Sequence, residues 1–511
     1  MMRILLAASM LTALAAFANA QTIYPIDRAE ILAGSRFDLK VEFPNVSSAA
    51  DLMLTINGVD HARVLGRAAA FVEREKGVDA SALLLRDVVI DQPGDYTVSA
   101  SDGKTTAAVK WRVYDTRGRQ AKNVILFVGD GMGLAVRTAA RLLSKGIKEG
   151  KYLDKLAMDD MTAMALIGTS GVDSLVTDSA NAMSAYTTGH KASVNALGVY
   201  ADRTPDSLDD PRVETIASLA KRKLNMAVGI VTNTEVQDAT PAGMIAHTRR
   251  RSDYAAIVDQ YFEAKPDVLL GGGSLSFLPK SSPGSRRSDD VDYFAKFKDA
   301  GYAIALTDAE MKTAAAKTDT KRMLGIFHTG NLDGVWDRKF LKKGTVDRFP
   351  YQPDLTDQVR TALQVLSRNP NGFVLMVESG LIDKFEHPLD WERAAMDTIM
   401  LDNAVKVAKD WVGKRNDTLI LVVADHSHSY SITGVVDDSL KGDEMRDQVG
   451  VYEKSVFPNY PAANAEGYPE KLDVSRRLML SAGNFPDHYE TFRPHLEGTQ
   501  DRKSTRLNSS H

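Results

Sequence analysis

At 511 residues, with 25% charged and 44% hydrophobic side chains, the chain is long enough for more than one domain and has the balance of an ordinary globular protein. A formal net charge of -4 without a strong basic block argues against nucleic acid as the main partner. It leaves an anionic substrate open, because a local metal cluster overrides the global sign. Cysteine is absent, so disulfides, a thiol nucleophile and thiolate metal ligands are excluded, leaving His, Asp and Glu as zinc ligands.

Met1-Met2-Arg3, an apolar run from Ile4 to Phe17 and Ala18-Asn19-Ala20 before Gln21 predict a secretory signal peptide cleaved after Ala20. The run is shorter than the ~20 residues a membrane span needs. Residues 21–115 read as all-β. Phe37 to Phe43 alternates apolar and polar, as a half-buried strand does, and Leu52 to Ile56 repeats this before the turn pair Asn57-Gly58. Pro93-Gly94-Asp95 leads into Tyr96-Thr97-Val98, and Ala107 to Tyr114 closes the series. The expected fold is a small immunoglobulin-like β-sandwich with a packing or adhesion role.

From Asn123 the pattern changes. Continuous apolar runs at Asn123 to Val128, Met226 to Val231, Val268 to Leu270, Phe373 to Val377 and Leu419 to Ala424 read as strands buried on both faces. Helical patterns such as Val213 to Arg222 and Asp397 to Trp411 lie between them. The expected fold class is α/β, a largely parallel sheet flanked by helices, over residues 120–500. The polar, aperiodic stretch 501–511 (DRKSTRLNSSH) reads as a non-native tail, with the natural chain continuing past Gln500 and the catalytic domain truncated.

Three of these strands run into acidic residues: Asp130 after the first, Glu378 with Asp383 and His387 after the fourth, and Asp425-His426 after the fifth. Ligand sites in open α/β sheets lie at the carboxyl ends of strands. Clustered carboxylates repel unless cations neutralise them. Carboxylate with imidazole suits zinc, and carboxylate with hydroxyl suits magnesium. Each residue alone reads equally as a helix cap, a solvated helix face or a turn; their shared placement makes the metal reading. Ser179, in Val176-Thr177-Asp178-Ser179-Ala180-Asn181-Ala182, stands where a helix starts. It reads either as an N-cap or as a nucleophile beside free amides that favour an anion, and the local pattern does not separate the two.

The segments NVILFVGDGMG, VTDSANAMSAYTTGHKA, QDATPAGMIAHTRRR, ESGLIDKFEH and VVADHSHS resemble those of alkaline phosphatases, in the same order, across Lys122 to Tyr430. The resemblance implies a phosphomonoesterase with two zinc ions and one magnesium ion. Ser179 is then the phosphorylated nucleophile, and Asp130, Asp425 and His426 hold the zinc that activates it. Asp383 and His387 hold the zinc that activates water and stabilises the leaving oxygen. Asp130 also bridges to magnesium, completed by Thr240 and Glu378. Arg251 is the phosphate clamp, with Arg249 and Arg250 as alternatives in a shifted register. Asp238 and Lys384 support the magnesium site as in bacterial members, and Lys384 reaches phosphate through water. The resemblance also implies small phosphate monoesters as substrates, a homodimer and a periplasmic or extracellular location.

One further zinc-ligating histidine of the family, downstream of Asp425-His426, has no match. His488 and His495 lack its context, and His428, His247, Tyr430 and Trp391 are set aside as packing or non-ligand residues. The expectation is weak binding of the Asp383/His387 zinc and low activity. Gly271-Gly272-Gly273 lacks a nucleotide-binding spacing and reads as a plain loop. The competing readings are a phosphodiesterase or sulfatase of the same superfamily, and an inactive exported protein that binds metal or phosphate. Thr240, Glu378 and Arg251 favour the monoesterase.

Overall fold

The computed structural model describes residues 21–483 apart from Ser47, Thr116, Arg117 and Gly450. The predicted signal peptide, the 501–511 tail, His488 and His495 lie outside the described residues.

The first hundred described residues form two facing sheets. One has the order β1 (Thr22–Tyr24), β3 (Arg36–Pro44), β7 (Ala80–Val89), β6 (Ala70–Val72). The other runs β2 (Ala29–Leu32), β9 (Thr106–Tyr114), β8 (Gly94–Ser101), β4 (Met53–Ile56), β5 (Val59–Asp60). Asn57 and Gly58 both take positive φ, as the tight turn from β4 to β5 requires. Leu39, Val41 and Phe43 on β3 meet Leu54, Ile56, Val98 and Trp111 between the sheets.

The alternation in β3 predicts one wet face, and the structure corrects this. Asp38, Lys40 and Glu42 are as buried as their apolar neighbours, because that face packs on residues 202–214 of the second unit. Polar residues alternate there because they are partnered, not because they meet water.

The second unit is built on a parallel sheet of order β15 (Ala303–Ala305), β16 (Met323–Ile326), β14 (Val268–Gly272), β13 (Ala227–Glu235), β17 (Phe373–Ser379), β10 (Asn123–Gly129), β18 (Thr418–Ala424). β15 and β16 escape the sequence pattern because runs of this length carry too little periodicity. Gly271 and Gly272 end β14, and Gly273 begins the turn with φ +96. A small hairpin of β11 (Ile147–Lys148) and β12 (Lys151–Tyr152) follows the helix Leu134–Lys145, and β19 (Tyr430–Asp437) pairs antiparallel with β20 (Arg476–Ala482).

Alternate strand residues feed two cores. Ile125, Phe127, Leu375 and Val377 pack on the helices Leu134–Lys145, Leu355–Leu366 and Trp391–Val412. Val128, Val374, Met376 and Ile230 pack on Ser179–Thr188, Ile216–Leu224 and Tyr254–Ala264. Fully buried side chains such as Phe127 and Phe373 each contribute roughly 2–3 kcal/mol of transfer free energy. Burial on both faces holds for β13 and β17 but not for β18. Among the described residues that strand is the last in the sheet, and Leu419 and Leu421 stay 46% and 42% exposed.

Candidate active site

Four adjacent strands, β13, β17, β10 and β18, end at the same edge of the sheet. β10 and β18 are paired through Gly129 and Ala424, so Asp130 and Asp425 leave the sheet side by side. The chain then turns sharply at Gly131, where φ is +69 and a Cβ would sit 2.8 Å from His428 and 2.9 Å from Glu386. Glycine is needed there for both conformation and close approach. The Gly131 amide donates to Asp425 Oδ1 at 3.0 Å, and the His426 amide does so at 2.8 Å.

Ser179 opens the helix Ser179–Thr188, yet it is not the cap. Asp178 caps the helix, accepting from the Asn181 amide at 2.8 Å while Asn181 Oδ1 accepts from the Asp178 amide at 3.0 Å. The Ser179 hydroxyl is thereby left for the strand ends. Its Oγ lies 3.3 Å from Asp130 Oδ1 and 3.3 Å from His426 Nε2. His426 Nε2 is in turn 3.3 Å from Asp130 and 3.5 Å from Asp425 Oδ2.

The turn after β17 is set by Asn233 on β13, whose Oδ1 accepts from the amides of Gly380 (2.8 Å) and Leu381 (3.2 Å). This aims the short helix Leu381–Glu386 so that Asp383 faces the cluster. Asp383 Oδ2 lies 3.3 Å from His387 Nε2, and its Oδ1 lies 2.8 Å from His428 Nε2. The structure thus brings in a histidine that the sequence reading set aside. His428 stands two residues past His426, so an extended chain returns it to the same side. Glu386 was also missed. It lies at i+3 from Asp383, on the helix face that Asp383 and His387 share. It is 1% exposed, its Oε2 has no hydrogen-bond partner, and that oxygen lies 3.9 Å from His428 Nε2.

Thr240 Oγ1 donates to the other oxygen of Asp130 at 3.3 Å. Glu378 is buried beneath, held by the hydroxyls of Thr232 and Thr234 (3.0 Å for the latter). Two cations converge on Asp238: Arg251 at 3.0 Å and Lys384 at 3.0 Å. Arg250 is exposed, and Arg249 turns away to the carbonyls of Asp202 and Asp206, so Arg251 is the arginine at this edge. His247 Nε2 donates to the Val213 carbonyl (2.9 Å), Trp391 packs on the main core, and Tyr430 donates to the Glu386 carbonyl at 3.1 Å; none of these three reaches Ser179.

The electrostatics are those of crowded acids. Burial, reinforced by Asp130, pushes Asp425 up to about 8 and Glu378 far above the carboxylate range. Burial and Asp383 push Glu386 up to about 9. Burial disfavours a charged His426, but Asp130 and Asp425 outweigh it and raise it to about 10. Burial would raise Asp238, but Lys384 and Arg251 hold it down at about 2. Asp425 Oδ2, like Glu386 Oε2, is buried without a hydrogen-bond partner. Buried carboxylate oxygens without a hydrogen-bond partner, crowded by other acids, suit cations. Among the described residues, two groups bring their ligand-type atoms within 4.8 Å of one another: Asp130, Asp425 and His426, and Asp383, His387 and His428. Carboxylate-imidazole sets of this kind match the preferences of zinc.

The sequence model of the alkaline phosphatase family matches residues 121–467. The alkaline phosphatase of Escherichia coli K12 is 31% identical over 363 residues, covering 65% of this chain and 74% of that protein. Alkaline phosphatase H of Pseudomonas aeruginosa is 31% identical over 349 residues, covering 61% and 71%. Among solved structures, the Thermus thermophilus alkaline phosphatase superposes with a TM-score of 0.54 at 29% identity, covering 66% of this chain and 67% of that one. A sheet with four acid-tipped strand ends, a serine freed from capping, and a family match over residues 121–467 lead to one conclusion: the chain belongs to the alkaline phosphatase family and is a phosphoric monoester hydrolase.

Proposed function

We propose that the enzyme hydrolyses phosphate monoesters through a phosphoserine on Ser179, with two zinc ions and one magnesium ion held at the strand ends. The observation that carries this reading is the Ser179 hydroxyl, 3.3 Å from both Asp130 and His426 while Asp178 does the capping. Asp130, Asp425 and His426 would hold one zinc, and Asp383 and His387 the other with His428 as a third donor. Asp130, Thr240 and Glu378 would hold the magnesium. Bound there, the cations supply charge for the attacking and leaving oxygens and make water nucleophilic near neutral pH.

The chain's own groups do the rest. The helix amides after Asp178 and the guanidinium of Arg251 face the phosphoryl oxygens, and Arg251 suits two of them at once. Asp238 orients Arg251 and Lys384 together. Ser179 Oγ forms a bond to phosphorus as the bond to the alcohol oxygen breaks. The proton lost by Ser179 is returned to the departing alkoxide through solvent. Water then forms a bond to the same phosphorus, the serine–phosphorus bond breaks, and Ser179 regains its proton. The protein contributes positioning and charge, which is what phosphoryl transfer demands.

Turnover of p-nitrophenyl phosphate against its bis-ester tests the substrate class. The monoester is expected to react faster by orders of magnitude, and equal rates would move the assignment to a phosphodiesterase.

We also read the chain as exported and as a homodimer. No helix among the described residues is long and apolar enough to cross a membrane. The stretch before Ser179 exposes Met164, Leu166, Leu175 and Val176, large apolar side chains that a partner subunit would cover. Light scattering is expected to give twice the chain mass, and the mature protein to begin at Gln21. A monomer mass, or retention of residues 1–20, overturns the corresponding reading.

A further inference from the structure

We infer that the N-terminal β-sandwich is a positioning domain for the phosphate clamp, and that Arg249 is the residue that links the two. The inference rests on the reading of Arg251 as the clamp.

The link has three steps. First, the buried polar face of β3 grips the segment 202–214. Lys40 Nζ, 2% exposed, lies 2.6 Å from Asp202 and 2.6 Å from Glu75. Glu42 accepts from the Arg203 amide at 3.0 Å, and Asp38 from the Arg212 amide at 2.9 Å. Buried charges of this kind hold only one geometry, because any shift leaves an unpaired charge out of water. Second, Arg249 ties that segment to the strand-end region. Its guanidinium donates to the carbonyls of Asp202 (2.9 Å), Thr204 and Asp206 (2.9 Å), and its amide donates to the Ser207 carbonyl at 3.0 Å. A planar five-donor fork spanning three carbonyls fixes a loop in a way a lysine cannot. Third, Arg251 is two residues on. Its amide donates to the Asn195 carbonyl at 2.9 Å, and the Asn195 amide donates to Asp178, the cap beside Ser179, at 2.6 Å. The sandwich, the loop and the clamp thus form one hydrogen-bonded chain ending at the nucleophile's helix.

Small misplacements of a phosphate-binding group are costly, so loosening this chain should be read out as weaker phosphate binding more than as slower chemistry. The probe is inorganic phosphate as a competitive inhibitor of p-nitrophenyl phosphate hydrolysis by the metal-loaded full chain. Arg249→Met is expected to weaken phosphate on the order of ten-fold and to raise KM more than it lowers kcat. Lys40→Met is expected to act in the same direction. Should it fail to fold, Arg203→Met is the milder cut, removing the guanidinium that lies 3.4 Å from Glu42 and donates to Thr22 at 3.1 Å. In an Arg251→Met background neither change should add anything, since both act through that guanidinium. Full additivity in that background, or wild-type phosphate affinity in either the Arg249 or the sandwich variant, overturns the inference. If Arg251→Met itself leaves phosphate affinity unchanged, the clamp reading fails and the inference falls with it. If Arg251→Met weakens phosphate and Arg249→Met does not, the inference alone fails.

Discussion

Ser179→Ala is expected to remove hydrolysis while leaving the fold intact. The side chain is 3% exposed, and the substitution deletes a single oxygen from a helix whose capping is done by Asp178 and Asn181. No buried partner is stranded, because Asp130 and His426 retain each other at 3.3 Å. Unfolding midpoints should therefore move by less than about 1 kcal/mol equivalent. Loss of a nucleophile that forms a covalent intermediate costs about 10³-fold or more in kcat. Phosphate binding should survive, since Arg251 and the helix amides are untouched. Turnover with inhibition by phosphate, measured on one preparation, separates this from a binding protein whose serine is only structural. Retention of a tenth of the activity would refute the nucleophile.

Asp425→Asn should change the sign of its effect with the metal. Asp425 is fully buried, its Oδ2 has no hydrogen-bond partner, and Asp130 crowds it. In a chelator the wild-type protein must either keep that carboxyl protonated or bury a charge beside Asp130 that His426 only partly offsets. Its pKa rises from 3.8 in the unfolded chain to about 8 in the folded one. The folded state therefore binds more protons than the unfolded state across that window, and wild-type stability falls as pH rises through it. Asparagine keeps the acceptor for the Gly131 and His426 amides and carries no charge. In chelator at pH 9 the variant is expected to be the more stable by on the order of 2–4 kcal/mol, with the gap closing toward pH 4. With zinc the order inverts, because ligand binding to the folded state stabilises the wild type more strongly. Thermal unfolding with chelator and with zinc reads both arms. Equal zinc-induced shifts in the two proteins would rule out Asp425 as a ligand.

The two units differ in how much the chain reveals. The parallel sheet is legible because strands buried on both faces must be continuously apolar, as at Phe373 to Val377. The acids are legible because they stand directly after those runs, at the edge where such sheets bind ligands. β18 misleads for the same reason: Leu419 and Leu421 are apolar, and only the sheet order shows that β18 is the last strand among the described residues. β3 misleads in the opposite sense, since Lys40 and Glu42 look solvated until Asp202 and Arg203 arrive from 162 and 161 residues further along the chain.

The sequence by itself determined the fold class, the family and the set of acids at the strand ends, because these follow from local hydrophobic pattern and contiguous motifs. It could not show whether Ser179 caps its helix. That depends on Asp178 taking the cap and on β10 and β18 placing Asp130 and His426 opposite the Ser179 hydroxyl. Nor could it find His428 and Glu386 beside Asp383, or sort Arg249 from Arg251. Contacts of that kind join segments from 13 to 247 residues apart, and their geometry is set by sheet register and buried polar pairing, which local sequence does not encode.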